Sequence, residues 1–108
     1  MDATVEITAE LQRAELARAR GNEGQARVCA RRAAGIAIRE YLTHQKRIPT
    51  PSASAMDLLD LLKNDPLLSP DLKLIADHLT LRVTEDFKLP LNADLIAEAR
   101  TLCNALLK

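Results

Sequence analysis

The sequence predicts an all-α domain, an antiparallel up-and-down bundle of four to five helices. Three observations carry this expectation. Apolar residues recur at three- and four-residue steps in five successive segments. Turn-forming residues separate those segments: Gly21 and Asn22, Pro49 and Pro51, Asp65 and Pro66, and Pro90. No stretch alternates apolar and polar side chains as a half-buried strand does. With 108 residues the chain has room for one domain, 1–108, and one modest core. Tyr41 and Phe87 are its only aromatic residues, so that core is aliphatic.

Residues 2–20 form the first expected helix. Val5, Leu11, Ala14, Leu16 and Ala17 are its inward positions, with Glu6, Glu10, Arg13 and Arg18 between them. Gly21 and Asn22 stop it, because both tolerate the left-handed backbone of a helix end. A connection that short makes the next helix an antiparallel neighbour.

The second helix, residues 23–44, is the central rod of the predicted bundle. Ala26, Cys29, Ala30, Ala33, Ala37 and Tyr41 share one face, and their small side chains admit a neighbouring helix at close range. At about 100° per residue, Arg27, Arg31, Arg32 and Arg39 fall in the opposite sector, with Val28, Ile38 and Leu42 in or beside it. Arginine mixed with aliphatics suits a partner surface, since the guanidinium binds while its stem packs. The plainer reading is a helix packed on two sides with arginines reaching to water.

Residues 46–54 read as a linker, because Pro49 and Pro51 forbid regular helix. Ser54, with Asp57 three residues later, caps a short third helix. Its apolar residues are Met56, Leu58, Leu59, Leu61 and Leu62, set against Asp57, Asp60 and Lys63, and Asp65 and Pro66 end it. Ser69, Pro70 and Asp71 start a fourth helix running to about residue 83, with Leu72, Ile75, Ala76 and Leu79 inward and Leu81 or Val83 beside them. A loop over residues 84–91 carries Phe87 and Pro90. Asn92 then caps a last helix striped by Leu95, Ile96, Ala99, Leu102, Cys103, Leu106 and Leu107. Four long helices and one shorter one are expected.

Composition narrows the function. Fifteen basic and fifteen acidic residues cancel, so the chain as a whole is not an electrostatic binder of nucleic acid or membrane. Residues 1–50 hold nine basic and six acidic residues, and 51–108 hold six and nine, which leaves a basic bias on the first two helices. The scarcity of aromatics disfavours base stacking, so any RNA binding is expected to be weak and salt-sensitive. Cys29 and Cys103 are isolated, with no CxxC and no Cys/His pair at metal-ligand spacing, so buried reduced thiols and no metal or cofactor are expected. No apolar run reaches a membrane span, and the stretch MDATVEITAEL lacks a signal peptide's charged start and apolar core. A cytoplasmic, non-membrane protein is the expectation.

Two patches resemble the HEPN family (higher eukaryote and prokaryote nucleotide-binding domain). One is Gly21 and Asn22, then Ala26, then Arg31, Arg32, Ala33 and Ala34, then Ala37, Ile38 and Arg39; it is similar to the family's second helix. The other is Leu81 and Arg82 before an acidic, Pro-containing loop, then Ala93 through Arg100, similar to the family's basic residue before the last helix and that helix's "EAR" segment. This chain has Gly35 where many relatives carry Glu.

The resemblance implies a helical, homodimeric domain. Ribonuclease members use an arginine followed, after roughly four to six residues, by a histidine at a dimer cleft, the pair that stabilises phosphate charge and moves protons. Here Val83 follows Arg82, no histidine comes after it, and His78 precedes it by one helical turn. The resemblance therefore implies a noncatalytic member: a partner of a small nucleotidyltransferase, or a nucleotide- or substrate-binding subunit for one.

Two other readings stand beside it. His78 and Arg82 could together form a phosphate cleft, which a degenerate ribonuclease would use; the plainer account is a solvated helix end. His44, with Gln45, Lys46 and Arg47, suits a helix C-terminus by its charge. Gly21, Ala26 and Ala33 also resemble half of a tetratricopeptide repeat, a helical interaction scaffold. No glycine loop cradles phosphate, and no serine has a paired base, so no enzyme is expected.

Overall fold

The computed structural model describes residues 3–47, 49–81 and 94–107. It contains five helices: α1 (Ala3–Ala19), α2 (Glu23–His44), α3 (Ala55–Lys63), α4 (Pro70–Thr80) and α5 (Leu95–Leu106). Among the described residues there is no strand. The expected loop at 84–91 with Phe87 and Pro90, the place of Val83, the Asn92 cap and the candidate Arg82 lie outside the described residues.

The α-helical bundle is organised around α2, which touches every other helix. Around it the order is α1, α5, α4, α3, each packed on the next, while α1 and α3 do not touch. The small residues of α2 explain its centrality. Ala26, Ala30, Ala33, Ala34, Gly35 and Ala37 are all buried and keep its surface low on most sides. Leucines from the shorter helices fill the space: Leu58, Leu59 and Leu62 from α3, Leu79 from α4, Leu95 and Leu102 from α5.

Local chemistry sets the helix ends. After α1, the Gly21 amide donates to the Arg18 carbonyl at 2.9 Å and the Asn22 amide to the Ala17 carbonyl at 2.8 Å, with Gly21 at φ +79°. This is a Schellman ending, and Gly21 supplies the positive φ that it requires. Asn22 also caps α2, accepting from the Gln25 amide at 3.0 Å. One dipeptide thus ends a helix and starts the next, which fixes the tight hairpin of α1 and α2. At α3, Ser54 and Asp57 form a reciprocal capping box. Ser69 caps α4, and Pro70 sits in its first turn.

Several expected details change. Val5 and Leu16 point to solvent on α1, and Ile7 takes the core position with Leu11, Ala14 and Ala17. α1 carries two apolar stripes, and the one in register with Ala14 and Ala17 meets the small face of α2. Leu61 is likewise exposed. Only α1 and α2 are long; the other three span 9 to 12 residues. α4 ends at Thr80, with Leu81 already extended. The cap of α5 is Asp94, whose carboxylate accepts from the Ala97 amide at 3.1 Å and from Arg18 at 2.9 Å. Arg18 of α1 thus joins the start of α5 to the first helix, a long-range contact with no trace in local spacing.

Candidate functional site

The arginines of α2 divide into two kinds. Arg31 is half-buried; its Nε donates to the Leu79 carbonyl at 2.6 Å and its Nη2 to the Leu81 carbonyl at 3.0 Å. These are carbonyls at the end of α4, the negative pole of that helix, which a cation satisfies. Burial, and then the charge of Arg27 one turn away, lower the Arg31 pKa from its ordinary value. Arg39 donates to the carbonyls of Ala53 (3.0 Å) and Thr50 (3.4 Å), pinning the linker to α2. Both are thus committed to backbone oxygens. Arg27 is partly buried, and Arg32 is exposed with no polar partner among the described residues.

Of the aliphatics expected beside these arginines, Val28 is half-buried and the other two are not on an outer face. Ile38 and Leu42 are buried, because α2 is wrapped on nearly all sides. What stays open is the strip of α2 between α1 and α3, the two neighbours that do not meet. There lies a cleft of about 470 Å³. Its floor and walls are Gly35, Ile36, Ala53, Ala55 and Leu58, and its rim carries Glu6, Glu10, Arg32, Arg39 and Glu40. Glu10 accepts from Arg13 through Oε1 at 2.7 Å, while its Oε2 is buried with no hydrogen-bond partner among the described residues. A buried carboxylate oxygen without a donor carries an unmet desolvation cost.

Of the expected phosphate cleft, only His78 is described. Its Nδ1 lies 2.6 Å from Oε1 and 3.2 Å from Oε2 of Glu98. A carboxylate only accepts, so Nδ1 carries the hydrogen. The pair is mostly buried and ties α4 to α5. Glu98 belongs to the EAR segment, and Arg100 of the same segment pairs with Glu15 of α1 at 3.1 Å. Both charged residues of that motif make contacts between helices. His44 pairs with Glu40 one turn back and is largely exposed.

One residue read only as a helix stop has a larger part. Asp65 is 1% exposed, the only buried charged residue among those described. Its Oδ2 accepts from the Tyr41 hydroxyl and from Arg47, both at 3.2 Å, and its Oδ1 from the Leu67 amide at 2.9 Å. Burial alone raises the carboxyl pKa. The Leu67 amide, the Tyr41 hydroxyl and Arg47 together outweigh it and hold Asp65 below the ordinary value. The Leu67 amide is local, but the two side-chain donors come from the far end of α2 and the linker, so no local pattern marks the cluster.

Cys29 and Cys103 are buried and unpaired. Burial raises the Cys103 thiol to about 11. Among the described residues no cluster of His, Cys, Asp and Glu could hold a metal ion, and no helix is long and apolar enough to cross a membrane. Comparison with protein-family models, with curated proteins and with solved structures gives no match.

Proposed function

We propose that this chain is a noncatalytic helical binding domain that engages a protein through the open strip of α2. One observation carries the reading. Among the described residues, the strip between α1 and α3 is the side of α2 without a neighbouring helix, and it combines a small apolar floor with Glu6 and Arg32, which have no partner there. A helix or helix pair laid there would complete the ring around α2.

A protein fits better than a nucleotide. Arg31 and Arg39 are bonded to carbonyls, and Glu6, Glu10 and Glu40 share the rim with Arg32. That rim repels phosphate more than it attracts it. The likeness of the α2 segment to noncatalytic HEPN domains supports the same role. It adds the partner classes those domains have, a second copy or a small nucleotidyltransferase, and a cytoplasmic setting. The helices radiate from one hub and do not stack as equivalent hairpins, which lends nothing to a tetratricopeptide scaffold. His78, held by Glu98, offers little to a ribonuclease.

The test is affinity capture with the tagged full chain, followed by re-binding of the purified captured protein. Capture is expected with wild type and lost with Ile36→Glu, which puts a charge on the cleft floor. Equal capture by both would overturn the reading, and saturable nucleotide binding that depends on Arg32 would replace it.

A further inference from the structure

We propose that the occupant of this strip is one amphipathic helix of a different protein, with an aliphatic stripe on the floor, a carboxylate over Arg32 and, one turn away, a cation over Glu6. The inference rests on the protein-binding reading above and names the chemistry of the partner.

The shape argues for a helix. The cleft runs along α2 from Arg32 to Glu40, about 12 Å, which two turns of an incoming helix would cover. Ile36, Ala53 and Ala55 keep partial exposure there, and Leu58 closes the floor from α3. An extended segment would bring unpaired amides and carbonyls onto those apolar side chains, and among the described residues there is no strand whose edge could receive them. A helix satisfies its own backbone and offers aliphatic side chains at three- and four-residue steps.

The charges argue for its pattern. Three of the charged residues on the rim are already engaged: Glu10 with Arg13, Arg39 with the Ala53 and Thr50 carbonyls, and Glu40 with His44. The second oxygen of Glu10 is enclosed and takes no part. Arg32 and Glu6 are exposed and have no polar partner among the described residues. The tight turn after α1 sets α1 and α2 antiparallel, which brings Glu10 level with Arg32 and Glu6 level with Ile36. The two free charges therefore stand one helical turn, about 5 Å, apart along the groove. They are opposite in sign, so an all-basic or all-acidic partner meets repulsion at one of them. A helix with a carboxylate and an ammonium at i and i+4 beside its aliphatic stripe meets both.

Selection of displayed peptides on the full chain tests this. The library is helical, about 20 residues long, with a fixed leucine stripe and Glu, Lys or Gln at each flanking position. Wild type is expected to enrich peptides with Glu and Lys one turn apart. Selection on Arg32→Glu should turn that Glu into Lys and keep the Lys. Selection on Glu6→Lys should turn that Lys into Glu and keep the Glu. A synthetic peptide of the wild-type consensus is expected to lose at least about tenfold in affinity on Arg32→Glu, and to lose binding on Ile36→Glu. Helical circular dichroism checks that the two exposed charge variants keep the fold.

Charge preferences that follow both swaps support the proposal. A library from which nothing is enriched, or peptides whose charges ignore the swaps, overturn it. Self-association of the chain through Ile36 that shuts the peptides out also overturns it, because the strip then belongs to a second copy. The broader reading is judged separately. A captured protein that re-binds through Ile36 while the peptide selection fails keeps the strip as a protein surface and removes this helix from it.

Discussion

Arg31 of α2 reaches across the carboxyl end of α4, its Nε 2.6 Å from the Leu79 carbonyl and its Nη2 3.0 Å from that of Leu81. A helix's last carbonyls have no partner within it, and α4 ends here without a glycine. Otherwise α4 touches α2 only lightly. Replacing Arg31 by Met keeps the stem and removes the donors, and is expected to cost about 2 kcal/mol in urea unfolding. Arg31→Lys should recover less than half of that, since an ammonium does not present the planar fork that spans two carbonyls. Arg32→Met, on the same helix but unpaired, should stay within about 0.5 kcal/mol of wild type. Equal losses at positions 31 and 32 would mean that these carbonyl contacts contribute nothing.

The end of α2 is closed by a residue poorly suited to its backbone. Lys46 stands at φ +60°, with its amide on the Thr43 carbonyl at 3.0 Å and the Arg47 amide on the Leu42 carbonyl at 2.8 Å. This repeats the Schellman geometry found at Gly21, but with a side chain in the left-handed region, which costs about 1–2 kcal/mol in an L-residue. Lys46→Gly removes that cost and adds some unfolded-chain entropy. A net gain of about 0.5–1 kcal/mol is expected, read as a higher urea midpoint at unchanged slope. Lys46→Val should lower the midpoint. A glycine variant less stable than wild type would show that Lys46 makes compensating contacts.

What could be read from the sequence follows the range of the forces involved. The bounds of α2, the Ser54–Asp57 capping box and the Ser69 and Pro70 start arise from residues within four positions of each other, and they appear where expected. The outer side of α2 was not legible. Ala33, Ala34, Gly35 and Ala37 are small on several sides, so the wheel placed Ile38 and Leu42 outward when neighbouring helices bury them. On α1, the Val5 and Leu16 stripe and the Ile7 and Leu11 stripe are alike in apolarity, and only packing on α2 separates them. The cleft was hidden for the same reason. Of its rim, Arg32 and Arg39 stood out in the sequence, while Glu6, Glu10 and Glu40 come from turns that only the fold brings together.

At Gly35 the backbone of α3 comes close to α2. A β-carbon added there would lie 3.1 Å from Ala55 Cβ and 3.2 Å from Ala55 Cα. Ala55 is the first residue of α3, held by the capping box, so it has little freedom to retreat. For Gly35→Ala, the gain in helix propensity of about 1 kcal/mol opposes this contact, and a net change within about 0.5 kcal/mol is expected. Gly35→Val adds bulk that no propensity offsets and should cost about 2 kcal/mol. Thermal unfolding checks both. A valine variant as stable as wild type would mean that α3 can shift freely on α2.

Asp65 links stability to acid. Its native pKa is depressed, so the sign is definite: the carboxylate contributes stability that is fully present above its unfolded pKa of about 3.9 and is lost as pH falls through the lower native value. Other carboxylates titrate over the same range, Asp94 among them, held low by the Arg18 and Ala97 donors. A difference between two proteins cancels those groups. Asp65→Asn keeps the shape and removes the charge that Tyr41, Arg47 and the Leu67 amide surround. At pH 7 it should be less stable than wild type by about 1–2 kcal/mol. Below about pH 4 the gap should narrow, as wild type takes up its own proton at position 65. Urea midpoints of the two proteins between pH 7 and pH 2 measure it. A gap that stays constant across that range would show that the Asp65 charge is not what its three donors stabilise.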